Sequence, residues 1–121
     1  MMDGVQRIRP FLGSKDFDVS RSFYQKLGFR ENVLSDQMSV FNAENVWFYL
    51  QRAYVKDWVD NTMVFLEVAN LDAQRDAILD KRLTERFPGV RVSKIEENDW
   101  GREFFLHDPA GILWHIGTFA A

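Results

Sequence analysis

The chain has 121 residues, 46% hydrophobic, 15% aromatic and 27% charged, a composition that builds one globular core and excludes disordered and fibrous classes. A net charge of −3 with no cluster of Lys and Arg excludes a nucleic-acid footprint. Zero cysteines exclude disulfides, thiolate metal sites and thiol nucleophiles; with no apolar run near the ~18 residues of a membrane span and no signal-like start, a cytoplasmic protein with no membrane partner is expected.

Residues 5–12 (VQRIRPFL) read as a strand. A helix follows, capped by Asp16 or Asp18, with Val19, Phe23 and Leu27 at i, i+4 and i+8 and Gly28 closing it. Strands are expected at 29–34, 38–42 and 46–51, separated by the turn formers Ser35-Asp36 and Ala43-Glu44-Asn45. An aromatic connector, 53–61 (AYVKDWVDN), leads into the same order again: a strand at 62–68, a helix from about Asp72 to Phe87, and strands near 90–95, 102–107 and 112–119. Phe11, Asp18 and Tyr24 shifted by 54 fall on Phe65, Asp72 and Ile78, and Asn42–Leu50 shifted by 66 falls on Asp108–Ile116. The pattern predicts a single domain over 1–121 made of two βαβββ modules, about 5–52 and 62–119, that complete each other's core. Chance likeness of two α/β segments is the competing reading.

Side chains alternate along strands, so each central strand splits into two faces. Ile8, Pro10, Leu12, Val46, Phe48, Leu50, Val64, Leu66, Val68, Ile112, Trp114 and Ile116 are all apolar and are expected under the helices. The other face carries Arg9, Phe11, Trp47, Tyr49, Gln51, Met63, Phe65, Glu67, Leu113 and His115. Large rings beside a few polar groups fit a ligand cavity better than a face on bulk water, and a dimer interface is the alternative.

Lys15-Asp16-Phe17-Asp18, Ser22-Phe23-Tyr24 and Leu27-Gly28-Phe29 in the first module, with Asp108-Pro109-Ala110-Gly111 before a strand in the second, resemble the signature of the vicinal oxygen chelate superfamily, also called the glyoxalase, bleomycin resistance and dioxygenase superfamily. The resemblance spans about residues 5–119. It implies an α+β fold of two modules whose sheets curl into an open cup with helices outside. In metal-dependent members it also implies ligands on the first and last strand of each module, which fall here on Arg9, Tyr49, Met63 and His115. Only the histidine suits a divalent ion, because guanidinium has no free lone pair, thioether is a poor ligand for hard ions and a phenol must first lose its proton. No metal and no other cofactor is therefore expected, and His107 reads as a surface or turn-supporting residue.

The resemblance is nearest to the bleomycin resistance type, which works without metal by sequestering a drug in clefts of a homodimer. The expected function is small-molecule binding of a hydrophobic or anionic organic ligand. Arg9, Phe11, Trp47, Tyr49, Gln51, Met63, Phe65, Glu67 and His115 would line the cup, and Trp58 and Trp100 would rim it. The alternative is a metal-free isomerase or lyase in which His115 is the acid or base and Tyr49 and Arg9 polarise the substrate. Blander roles remain beside these: Arg9 neutralising Glu67, His115 as a hydrogen-bonded wall residue, and an interaction module with an unused cup.

Overall fold

The computed structural model describes residues 1–120. The first module runs β1 (Phe11–Leu12), α1 (Phe17–Leu27), β2 (Arg30–Val33), β3 (Met38–Ala43) and β4 (Val46–Gln51). A short α2 (Lys56–Asp60) leads to the second module: β5 (Met63–Glu67), α3 (Leu71–Asp80), α4 (Leu83–Arg86), β6 (Arg91–Val92), β7 (Glu96–Asn98), β8 (Gly101–His107) and β9 (Leu113–Phe119). Each module makes its own sheet, in the orders β1-β4-β3-β2 and β5-β9-β8-β6, with β7 also on β8. In both, the first strand pairs parallel with the last and the other pairs are antiparallel. The repeat legible in the sequence is thus a repeat of topology, and the fold is α+β with two small open sheets.

Local chemistry explains the helix ends. The Asp16 carboxylate accepts the Val19 N–H at 3.2 Å and starts α1. Gly28, at φ 126°, ends it by donating its N–H to the Tyr24 and Gln25 carbonyls, a left-handed position that favours glycine. Helix α1 buries Phe17, Phe23 and Tyr24. In the second module Asn70, two residues before Asp72, caps α3 by accepting the Ala73 N–H at 3.1 Å.

The apolar strand faces meet in one core shared by both modules. Leu12, Phe48, Leu50, Ile112, Trp114 and Ile116 are buried as the alternation requires, and Val46, Val64, Leu66 and Val68 pack against them. Phe48 of β4 stands edge-on to Trp114 of β9, with ring centres 5.5 Å apart. Tyr24 of α1 packs on both rings. Its hydroxyl donates to Asp108 at 2.6 Å and accepts the Trp114 indole N–H at 3.0 Å. Asp108 also accepts the N–H groups of Ala110, Gly111 and Ile112, each at 2.9 Å. The two motifs that carry the resemblance are therefore joined to each other at the module boundary.

Four expectations are corrected. The strand at 5–12 is only Phe11–Leu12, because Pro10 has no amide donor to continue a ladder; Ile8 and Pro10 are exposed rather than covered by helices, Ile8 at 88%. The helix to Phe87 is two helices, broken where Arg82 adopts φ 54°. The strand near 90–95 is Arg91–Val92, and a further strand, β7, forms a hairpin with β8. The aromatic connector holds α2, with only Val59 buried.

Candidate functional site

Part of the mixed face gathers into two clusters, Arg9, Phe11, Trp47 and Tyr49 on the first sheet and Phe65 and His115 on the second, while no side-chain hydrogen bond or ring contact draws Gln51, Met63, Glu67 or Leu113 into either among the described residues. On the first sheet, Phe11 pairs with Tyr49 in register and their rings stack with centres 4.7 Å apart. Parallel pairing carries the preceding residues back along β4, and the Tyr49 N–H donates to the Pro10 carbonyl at 2.9 Å. Arg9 therefore lies over Trp47, its guanidinium carbon 4.6 Å from the ring centre. It also donates to the Tyr49 hydroxyl at 3.2 Å. Arg7 also lies over the Trp47 ring, its guanidinium carbon 5.2 Å from the ring centre.

On the second sheet, His115 is flanked by two phenylalanines directly paired with it, Phe65 on β5 and Phe105 on β8. Phe65 lies nearly parallel to the imidazole at 6.3 Å and Phe105 edge-on at 5.0 Å. The imidazole Nδ1 is 2.8 Å from the Glu103 carboxylate, which also accepts from Asn98 at 3.3 Å. A carboxylate has no proton to give, so Nδ1 is the donor of this pair. Nε2 is buried and has no hydrogen-bond partner among the described residues. Trp100 and Phe119 extend the cluster, each with its ring centre within 5.7 Å of Phe65. Gly117 makes the arrangement possible, since a Cβ there would lie 2.8 Å from Phe65 Cζ and 3.2 Å from Glu103 Cβ.

No hydrogen bond or ring contact joins the two clusters among the described residues. Phe11, Met63, Phe65, Trp100 and Phe119 are exposed, whereas Trp47, Tyr49, Gln51 and His115 are half-buried. Trp58 projects from α2 at 74% exposure and stacks on no other ring among the described residues. Glu67 makes no ion pair with Arg9 among them. A groove of about 390 Å³ separates the two sheets. Its walls are mostly core-face residues, Leu12, Val46, Phe48, Val64, Leu66 and Trp114, and it takes only Trp47, Phe65 and Glu67 from the mixed face. His107, at the end of β8, is half-buried, and burial with the nearby Arg91 charge holds its imidazole below the ordinary range.

Sequence reasoning missed Arg7, Glu103, Phe105 and Phe119. The same alternation could have found them: Arg7 is two residues from Arg9, and Glu103 and Phe105 share one face of the strand antiparallel to that of His115.

The four positions at which the resemblance would put metal ligands do not fit a metal. Arg9 lies over Trp47 and donates to Tyr49, Met63 is an exposed thioether, and Tyr49 is a phenol that accepts from Arg9, so of the four only His115, through Nε2, suits a divalent ion. Among the described residues no three His, Asp or Glu side chains are grouped to hold an ion.

No family model matches the chain, and no curated protein matches it in sequence. Solved structures do match its fold. The bleomycin-binding protein from bleomycin-producing Streptomyces verticillus, complexed with copper(II)-bleomycin, superposes with a TM-score of 0.79 at 23% identity, covering 99% of this chain and 100% of that one. The bleomycin resistance determinant encoded on the transposon Tn5 gives 0.79 at 20% identity, over 97% and 100%. An antibiotic-binding protein from Streptomyces sp. CB03234 gives 0.75 at 16% identity, over 98% and 100%. At these identities the likeness is one of architecture, and the chain has the glyoxalase and bleomycin resistance fold.

Proposed function

We propose that this chain is a metal-free member of the glyoxalase and bleomycin resistance superfamily that binds a small organic molecule, hydrophobic or anionic, between aromatic walls. The observation that carries the reading is the open stack of Phe11, Tyr49, Arg9 and Trp47. Flat rings left exposed at 57% for Phe11 and 44% for Phe65 lose hydrophobic stabilisation unless a ligand or partner covers them. The bleomycin complex among the fold neighbours supports a binding role.

The proposed active unit is a homodimer. Each cluster is half of a cup, and the outer edge of β5 is unpaired in its sheet, with Met63 at the start of that strand 63% exposed and Ile8, which lines the intervening groove, 88% exposed. A second copy related by a two-fold axis would bring the second-module cluster of one chain to the first-module cluster of the other. Native mass spectrometry of freshly purified protein tests both statements. The expected species is two chains carrying organic adducts that a Trp47→Ala change removes; a bare single-chain mass, with no adduct from added flat organic acids or amides, would overturn the reading.

A second reading, a lyase or isomerase, is favoured by the Glu103–His115 pair and its unpartnered Nε2. An acceptor lone pair oriented by a carboxylate is the arrangement of a general base. Recovery of the bound molecule chemically changed, and unchanged from His115→Gln protein, would select it over simple binding.

A further inference from the structure

We propose that Arg7, Arg9 and Tyr49, arranged around Trp47, form a subsite for an oxyanion: the carboxylate, sulfate or phosphate group of a planar ligand. This deepens the binding reading above and rests on it. Of the ten arginines, Arg21, Arg52, Arg82 and Arg102 have carboxylate partners within 4 Å, while Arg30, Arg75, Arg86 and Arg91, like the pair at Trp47, have none among the described residues. Arg7 and Arg9 have none among the described residues, although acidic side chains outnumber basic ones in the chain, 18 to 15. Both guanidiniums are nevertheless held against one indole, 5.2 and 4.6 Å from its centre. Two like charges beside one ring repel, and among the described residues no carboxylate lies within 4 Å of either to relieve them.

The donor geometry fits an anion. A guanidinium stacked on a ring uses its flat face and keeps its N–H edges free, and those edges match the paired oxygens of a carboxylate or phosphate. Arg9 spends one N–H on the Tyr49 oxygen. That oxygen, being the acceptor, leaves its own O–H free to donate. The Phe11 ring, stacked on Tyr49 at 23°, adds a flat apolar wall beside the donors, so the favoured occupant carries its anion on an aromatic or conjugated ring. Cation–π decoration of an aromatic wall is the competing explanation, and it predicts no anion binding.

Sodium sulfate is the probe, titrated against sodium chloride at constant ionic strength while the four indole N–H signals are followed by NMR. The expected result is a saturable shift of the Trp47 signal with Trp58 unmoved. Arg7→Gln and Arg9→Gln should each weaken sulfate by about tenfold, the scale of one charge-assisted hydrogen bond, and the double variant should abolish the shift while its spectrum elsewhere is unchanged. A linear response at Trp47, or a saturable one that survives in the double variant, overturns the subsite. A parallel titration with neutral 2-naphthol separates the two proposals. A Trp47 shift with 2-naphthol but none with sulfate overturns the anion subsite and leaves the aromatic cup standing; silence with both overturns both.

Discussion

Tyr24 joins the two modules through one hydroxyl, donating to Asp108 and accepting from Trp114. Burial, with the Asp108 charge beside it, holds this phenol well above the ordinary range, so it remains a donor. Tyr24→Phe would leave the Asp108 oxygen and the Trp114 N–H unpaired in the core and should cost about 1–3 kcal/mol of stability. Urea unfolding measures it, and an unchanged midpoint would contradict the assigned role. Glu31 gives a pH-dependent counterpart. Burial alone would raise its pKa, but hydrogen bonds from Arg21, Ser39 and Gln25 outweigh burial and the net shift is downward from 4.5. Its contribution is therefore complete above 4.5 and is lost as pH falls through the lower folded value. The stability gap between the parent protein and Glu31→Gln should narrow as pH drops below that range; a gap independent of pH would refute the shift. Tyr24 and Asp108 were both legible as motif residues. Their pairing was not, because 84 positions separate them and sequence spacing says nothing about contacts between modules.

At the scale of elements, strand alternation was the strongest signal. It assigned Phe48, Leu50, Trp114 and Ile116 to the core face and Tyr49 and His115 to the other, as the burial shows. It failed where the backbone departs from regularity. The strand before Phe11 is curtailed by a proline, the second helix breaks at an arginine in the left-handed region, and α2 has no side-chain cap to announce it. Glu103 was missed because its significance depends on β9 lying alongside, with Gly117 directly opposite it. The glycine is needed for close approach: a Cβ there would also meet the Arg102 carbonyl at 3.0 Å, and backbone cannot swing aside. Gly117→Ala should destabilise by about 1–3 kcal/mol through overpacking and pull Glu103 away from His115. Thermal unfolding with an NMR record of the His115 ring checks this; unchanged stability and an unchanged imidazole signal would count against it.

For the whole molecule, one core binds the modules together, while the two aromatic clusters stay apart on separate sheets. A groove between the sheets offers a different apolar site, walled by Phe48, Val64, Leu66 and Trp114. These are core-face side chains, of which Phe48 and Trp114 are buried and Val64 and Leu66 half-buried. The mixed faces differ in having polar groups beside the rings, Arg9 and Tyr49 on one and His115 with Glu103 on the other, which is what a site needs to orient a ligand as well as desolvate it. The most direct test is a crystal structure of the protein with 2-naphthoate. The naphthalene ring is expected against Trp47 and Tyr49 of one chain, with its carboxylate at Arg9 and the Phe65–His115 cluster of a second chain closing over it. A ring seated instead among Phe48, Val64, Leu66 and Trp114, with Arg9 free of the carboxylate, would contradict it.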